Sequence, residues 1–240
     1  MELSKEIFRV HGRGLGDCIS DVSRFIHVGL ERNQILRLAL FYVKERKKYV
    51  MKLKEVVPIF ENDHVITLVD EDPTEPKVYW KETNKLPLVP SKVKWVPNRS
   101  KVACYQFDGK AFGSSKNFPS KEAEDAVLDF IKSQGYQVVR LGGHISIADC
   151  VKVASESELF VGVESGMAYL CGCVGLPCFH IQNSRPREIW DVIHGNKHWV
   201  LAKDGPDFNA MFSEYTKNPK GYYLSNANHV EYFRYSEMEW

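Results

Sequence analysis

The sequence predicts an α/β protein in which strands alternate with helices, and three stretches of the chain carry this prediction. The stretch from Leu159 to Ile181 reads as an apolar strand, a sharp polar turn, a helix of small residues and a second apolar strand. The stretch from Gln137 to Ala154 reads as a short strand, a glycine pair and a helix. At the N-terminus, a strand over Ile7 to Val10 enters a glycine-rich loop and then a helix. Strands that alternate with helices in this way are typical of parallel sheets.

Length and composition suit a protein with a sizeable hydrophobic core. The chain has 240 residues, of which 44% are hydrophobic, enough for one large or two small domains. No run reaches the ~18–20 apolar residues that a membrane span needs. The N-terminal residues MELSKEIFRV include acidic side chains and lack the apolar stretch of a secretory signal. We therefore expect a cytoplasmic protein with no transmembrane segment.

The six cysteines predict buried thiols rather than a metal site. Cys171, Cys173 and Cys178 lie close to His180 in the sequence, but this spacing is not a standard zinc-binding pattern. They fall on a predicted helix and strand that must pack against a sheet, where a small thiol behaves as an apolar group. Free thiols in this number also suit a reducing cytoplasm.

The N-terminal glycine-rich loop, His11 to Ile19, carries a candidate general base and a candidate acceptor-binding residue, Arg13. Its glycine spacing differs from the dinucleotide fingerprint G-x-G-x-x-G, which disfavours a dinucleotide oxidoreductase. Asp17 stands where the loop enters the helix. A carboxylate there can cap the helix or take a proton from an acceptor hydroxyl, and one residue can serve both purposes.

A basic segment follows the first predicted helix. The apolar residues between Asn33 and Lys54 have helical spacing, which predicts one or two helices, the later one strongly basic. The net charge of +1 gives the protein no general attraction to nucleic acid. The basic part, which includes Lys47, Lys48 and Lys52, is therefore either a solvated helix face or a contact surface for a polyanion.

The polar turn Glu164-Ser165-Gly166 is a candidate anion site. The residues after the turn open a helix, so unpaired backbone N–H groups and the positive end of the helix dipole face outward. Such a site suits a phosphate or a diphosphate. Ser165 can add a hydroxyl donor, Glu164 can accept from sugar hydroxyls, and Gly166 permits close approach or an unusual dihedral. An ordinary turn between a strand and a helix is the alternative.

The stretch ISIADCVKVASESELFVGVESGMAYLCGCVGLP, Ile145 to Pro177, resembles the glycosyltransferases with two facing Rossmann-like domains, the GT-B fold. Within them it is most similar to the ADP-heptose heptosyltransferase family. The resemblance covers residues 100 to 182 well and the rest thinly. Glu164 stands where the family has Asp, and Tyr169 stands where it has His. These two departures suggest a different sugar or acceptor.

The resemblance implies roles for several residues. Lys116, in a glycine-containing loop, matches a lysine that contacts the donor diphosphate, where a point charge steadies the leaving group. Asp17 matches the family's candidate base. Arg185 and Arg187, in the loop after the last strong strand, are further candidates. The predicted donor-binding residues are Lys116, Glu164, Ser165, Gly166, Met167 and Arg185.

A competing motif suggests the other large glycosyltransferase fold, GT-A. His64 to Val69 reads as a strand, and Asp70-Glu71-Asp72 follows it. In the GT-A fold two such carboxylates hold a divalent cation on the donor diphosphate. Here the chain continues into a proline-containing acidic turn, and three-residue motifs are common by chance. We therefore expect no metal site and no cofactor.

The predicted organisation has two domains and a returning tail. The resemblance implies that residues 1–96 form a reduced acceptor-binding domain and that residues 97–206 form the donor-binding domain. A proline-punctuated linker from Leu86 to Asn98 joins them. The candidate acceptor-binding residues are Arg13, Lys47, Lys48 and Lys52. The aromatic-rich segment 207–240 is expected to pack back on the first domain.

The function that these observations imply is inverting glycosyl transfer. The donor is a nucleoside diphosphate sugar, and the acceptor is a hydroxyl of a polyanion, either a modified DNA base or a lipooligosaccharide core. Compact glycosyltransferases that modify hydroxylated DNA bases, as bacteriophages encode, use the same two-domain plan. The alternative is a non-catalytic nucleotide- or DNA-binding module.

Overall fold

A computed structural model describes residues 1–11, 14–41, 53–69, 77–78, 88–108, 121–163, 165–182, 198–202 and 232–234. The strands are β1 (Glu2–His11), β2 (Gln34–Phe41), β3 (Ile66–Leu68), β4 (Lys77–Val78), β5 (Val102–Gln106), β6 (Gln137–Arg140), β7 (Leu159–Gly162), β8 (Cys178–Gln182), β9 (His198–Ala202) and β10 (Tyr232–Arg234). The helices are α1 (Leu15–Arg32), α2 (Leu53–Val56), α3 (Lys121–Ser133), α4 (Ile147–Glu156) and α5 (Gly166–Val174), with short 3₁₀ turns at Val57–Ile59 and Asp63–Val65.

The strands form two parallel sheets. The first has the order β3-β2-β1-β4, and the second has the order β10-β9-β8-β7-β5-β6. Every pairing between the named strands is parallel. The predicted α/β class is therefore confirmed. No helix within the described ranges combines the length and the apolar character that a membrane crossing requires.

Helix α1 covers one face of the first sheet. Its buried face is apolar, and the ring of Phe25 lies 5.4 Å from that of Phe8 on β1. The helix ends at Asn33, which takes a left-handed conformation and donates its backbone N–H to the carbonyl of Leu30. Asparagine tolerates this conformation better than most residues, so it gives a defined stop between α1 and β2.

The predicted helix between Asn33 and Lys54 is wrong in its first part, because residues 34–41 form strand β2. Leu36 and Leu38 are fully buried toward the core, and Ala39 is buried on the opposite face. A parallel strand that is buried on both faces reads as a nearly continuous apolar run, which periodicity cannot distinguish from a buried helix. The basic residues 42–52 lie outside the described residues, and 53–56 form the short helix α2.

The second sheet follows its prediction closely. β6, β7 and β8 form where strands are predicted, and α4 and α5 form where helices are predicted. Ser146 caps α4, because its hydroxyl accepts from the backbone N–H of Asp149 at 3.1 Å. The strand predicted at His64 is shorter than expected and begins as a 3₁₀ turn before β3.

The segment predicted as a linker is held firmly to both halves of the chain. The backbone N–H of Val89 donates to the Ser23 hydroxyl on α1 at 2.6 Å. The backbone N–H of Ser91 donates to the carbonyl of Cys173 on α5 at 2.8 Å. The indole of Trp95 donates to the carbonyl of Ser157 at 2.7 Å. Because these hydrogen bonds reach elements of both sheets, the segment acts as a strap between them.

Buried side chains from both halves form one continuous hydrophobic cluster. It includes Phe8 and Ile19 from the first half and Phe160 and Leu170 from the second half. Helices α1 and α5 contact each other directly. The two sheets are therefore joined through packed helices as well as through the strap.

Replacing Ser23 with Ala tests the strap. The change leaves the buried N–H of Val89 without its acceptor, so we expect the free energy of unfolding to fall by about 1–3 kcal/mol. Denaturant unfolding measures this difference. The matched control is Ser155→Ala on the exposed face of α4, which should change stability by less than about 0.5 kcal/mol. Equal effects of the two variants would contradict a structural role for this hydrogen bond.

Candidate functional site

The first turns of α1 and α5 lie against each other. A Cβ atom added to Gly166 would lie 2.4 Å from the Cβ of Leu15 and 2.9 Å from the backbone nitrogen of Gly16. A Cβ added to Gly16 would lie 3.2 Å from the ring of Tyr169. Gly166 is not among the glycines with positive φ, so the sequence requires glycine there for close approach and not for an unusual dihedral. The element that approaches Gly166 so closely is α1.

Backbone donors converge where these two helices begin. The Ser165 hydroxyl accepts from the N–H of Ala168 at 3.4 Å, which leaves the N–H groups of Gly166 and Met167 without an acceptor in their own helix. Helix α1 begins after Gly14, which has no side chain to cap it. Two positive helix ends at one place favour an anion with distributed charge, such as a diphosphate.

Ser165 and Met167 are both buried, and this limits what each can offer. Ser165 is 8% exposed, and its hydroxyl retains a hydrogen to donate while it caps α5. Met167 is 6% exposed and its side chain belongs to the hydrophobic core. Of the predicted donor-binding residues, Met167 can therefore act only through its backbone.

Asp17 occupies the first turn of α1 and is exposed. The N-cap of the helix is Gly14, so the interpretation of Asp17 as the N-cap is wrong. Asp21, one turn further along, is buried and forms an ion pair with Arg24 at 3.2 Å. Asp17 is therefore the more accessible of the two carboxylates beside the helix starts.

The site lies at a topological switch point of the second sheet. The chain passes from β5 to β6 on one side and then to β7 on the other side. β5 and β7 stay paired to their ends, where the N–H of Val163 donates to the carbonyl of Gln106 at 3.1 Å. The turn that contains Ser165 follows β7 directly. In open parallel sheets, ligands bind in the crevice at the carboxyl ends of the strands at such a point.

The cysteines are buried thiols, as predicted. All six are free and buried. Burial raises the pKa of the Cys104 and Cys171 thiols well above the ordinary value, which keeps them protonated and unreactive. Among the described residues, no group of three or more His, Cys, Asp or Glu side chains could hold a metal ion.

Several predicted site residues lie outside the described residues, and so do the two carboxylates of the Asp70-Glu71-Asp72 motif. Of the predicted set, the structure describes Asp17, Ser165, Gly166 and Met167, and it places them where α1 and α5 begin. The predicted site residues outside the described part are Arg13, Lys47, Lys48, Lys52, Lys116, Glu164 and Arg185.

Two features of the site were missed by the sequence interpretation. The contact of Tyr169 with Gly16 joins distant parts of the chain, and no local pattern predicts it. Gln106 stands at the switch point at the end of an apolar strand. The signal that could have found it is a polar side chain at the carboxyl end of an apolar strand that precedes a glycine-containing loop.

The chain matches no protein-family model and no curated protein sequence, but it is similar to solved structures. The bacterial iron-containing dodecameric glycosyltransferase TibC from enterotoxigenic E. coli H10407 has a TM-score of 0.50 and 13% identity, over 75% of this chain and 59% of that chain. TibC, described as a dodecameric iron-containing heptosyltransferase in complex with ADP-D-β-D-heptose, gives a TM-score of 0.49 and 12% identity, over 76% and 60%. A glycosyl transferase family 9 protein from Veillonella parvula DSM 2008 gives 0.41 and 11%, over 84% and 71%.

The similarity to the first of these structures shows the fold. Together with the two parallel sheets, it confirms the predicted GT-B type of architecture. The chain spans about three fifths of the length of the TibC chain. At this level of identity, the activity of the similar proteins does not transfer with the fold.

Replacing Gly166 with Ala tests the contact between the helix starts. The added Cβ would overlap Leu15 and the backbone of Gly16, so α1 and α5 must separate. We expect a loss of about 1–3 kcal/mol in the free energy of unfolding, the usual cost of overpacking. Gly143→Ala is the control, because a Cβ there meets no atom within 4 Å. A Gly166→Ala protein as stable as this control would contradict the close contact.

Proposed function

We propose that the protein is a glycosyltransferase that uses a nucleoside diphosphate sugar as donor. The observation that carries the proposal is the meeting of two helix N-termini beside the exposed Asp17, at the switch point of a GT-B type fold. This arrangement supplies donors for a diphosphate next to a carboxylate that can take a proton. The description of TibC in complex with ADP-heptose supports a nucleotide-sugar donor.

The donor diphosphate binds at the start of α5 in this proposal. The N–H groups of Gly166 and Met167 and the hydroxyl of Ser165 donate hydrogen bonds to it. Lys116 and Arg185 add positive charge from segments outside the described residues. Glu164 accepts from hydroxyl groups of the sugar.

The proposed reaction is a single displacement with inversion at the anomeric carbon. The acceptor oxygen forms a bond to that carbon while the bond from the carbon to the diphosphate oxygen breaks. Asp17 takes the proton of the acceptor hydroxyl as general base. The negative charge that develops on the departing diphosphate is stabilised by the helix ends and by Lys116. No divalent cation is required, because these groups offset the charge.

The proposed acceptor is a polyanion that carries the reacting hydroxyl. Arg13, Lys47, Lys48 and Lys52 bind its phosphates through long-range attraction. A hydroxylated DNA base and a phosphorylated lipooligosaccharide core both have this chemistry, and both place the protein in the cytoplasm. The alternative function is a non-catalytic nucleotide- or DNA-binding module.

Asp17→Asn separates catalysis from binding. The amide keeps the size of the side chain but cannot take a proton, so turnover should fall at least ~10²-fold while nucleoside diphosphate affinity stays unchanged. The measurements are calorimetric binding and nucleotide release from a panel of nucleotide sugars with both acceptors. Asp129→Asn, on the exposed face of α3, is the matched control.

The binding and transfer measurements distinguish the two candidate functions. A parent protein that binds nucleoside diphosphates but transfers no sugar to either acceptor would favour the binding module. Normal turnover in Asp17→Asn would remove Asp17 from the reaction and direct attention to other carboxylates, with Asp21 first.

The dependence of acceptor affinity on salt concentration tests the proposed class of acceptor. If lysines neutralise acceptor phosphates, acceptor affinity should fall steeply with salt concentration, because the bound phosphates release counterions. Replacing Lys47, Lys48 and Lys52 together with Gln should flatten this slope and raise the acceptor KM, with donor binding unchanged. Transfer is measured on hydroxylated-base DNA and on phosphorylated lipooligosaccharide core at two salt concentrations. A triple variant with the same slope as the parent would show that these lysines are only solvated.

A further inference from the structure

Gln106 is the last residue of β5, at the switch point of the second sheet. Side chains alternate along a strand, so Gln106 lies on the same face of the sheet as Cys104. The Cys104 thiol is fully buried and contacts the Cys171 thiol of α5, which identifies this face as the one that α5 covers. The side chain of Gln106 therefore lies on the side of the sheet where α5 begins.

The side-chain carbonyl oxygen of Gln106 is buried without a hydrogen-bond partner within the described part of the chain. The backbone carbonyl of the same residue does have a partner, because it accepts from the N–H of Val163 at 3.1 Å. A buried acceptor without a donor lowers stability, and an apolar side chain of similar size would avoid this cost. Folding alone therefore does not explain a glutamine at this position.

The absence of a side chain at Gly142 leaves room beside this amide. A Cβ added to Gly142 would lie 3.2 Å from the Gln106 amide nitrogen, and Gly142 has a φ of 138°, which other residues rarely adopt. Gln106 as a whole is partly exposed, and the terminal torsion of a glutamine rotates easily. Its oxygen can therefore turn toward a ligand in the crevice.

We propose that Gln106 is a specificity-determining residue that accepts a hydrogen bond from a hydroxyl or N–H group of the donor's nucleoside. An amide oxygen needs a partner that donates, and a diphosphate at neutral pH offers only acceptors. The helix that carries Asp17 lies against α5, whereas Gln106 adjoins Gly142 in the loop before α4. The reacting sugar must face Asp17, so the nucleoside is the part of the donor that reaches Gln106. This inference rests on the proposed function.

The test compares ligands with and without a nucleoside. Inorganic pyrophosphate and the diphosphates of adenosine, uridine, guanosine and cytidine are titrated into the parent protein and into Gln106→Leu. We expect the affinity for the best nucleoside diphosphate to fall about tenfold, the order of one lost hydrogen bond, while the affinity for pyrophosphate stays within about twofold. The Tm of Gln106→Leu should rise by about 2–4 °C, because a buried unpaired oxygen has been removed. Gln137→Leu, at the exposed start of β6, is the control and should leave both affinities unchanged.

The result distinguishes this inference from the proposed function. If the parent binds none of these ligands, the proposed function fails and this inference fails with it. If the parent binds a nucleoside diphosphate and Gln106→Leu binds it equally well, only this inference is overturned. An equal loss of affinity for pyrophosphate would show that Gln106 supports the turn and does not contact the nucleoside. If Gln106→Leu does not fold, Gln106→Met replaces it, and failure of both to fold would overturn the proposal.

Discussion

The contact between the first turns of α1 and α5 is the constraint on which the rest of the site depends. Gly16 and Gly166 let two helix starts approach more closely than side chains would allow. Because each helix start follows the carboxyl end of a strand, this contact brings the ligand-binding edges of the two sheets together. Asp17 and the donors after Ser165 reach one place for that reason, although they lie far apart in the sequence.

This approach needs support elsewhere, since two positive helix ends repel each other. The shared hydrophobic cluster and the strap provide it. The strap fixes α1 through Ser23 and α5 through Cys173, so the two helices are connected through hydrogen bonds as well as through packing. The remaining repulsion between the two helix ends favours an anion between them. The same two helices therefore stabilise the fold and form a place that suits a diphosphate.

The second sheet could be predicted from the sequence because its signals are local. Ser146 and Ser165 each stand at a helix start and cap it, and short apolar strands precede the glycine-containing turns. The first sheet was harder to predict because β2 is buried on both faces and its apolar residues imitate a helix. The contact of Gly16 with Tyr169 could not be predicted, since only tertiary packing brings these residues together. The resemblance identified Asp17 as a candidate base, but it did not predict that Asp17 is the third residue of α1.

Backbone donors at a helix start depend little on which side chains surround them. The N–H groups of Gly166 and Met167 need only a helix start and a small residue, so most side chains around them are free to change. Side chains then decide which ligand is accepted. Ser165 serves the helix as its cap and is therefore constrained by folding. The side-chain oxygen of Gln106 has no hydrogen-bond partner in the described part of the chain, which leaves it available to the ligand that we propose.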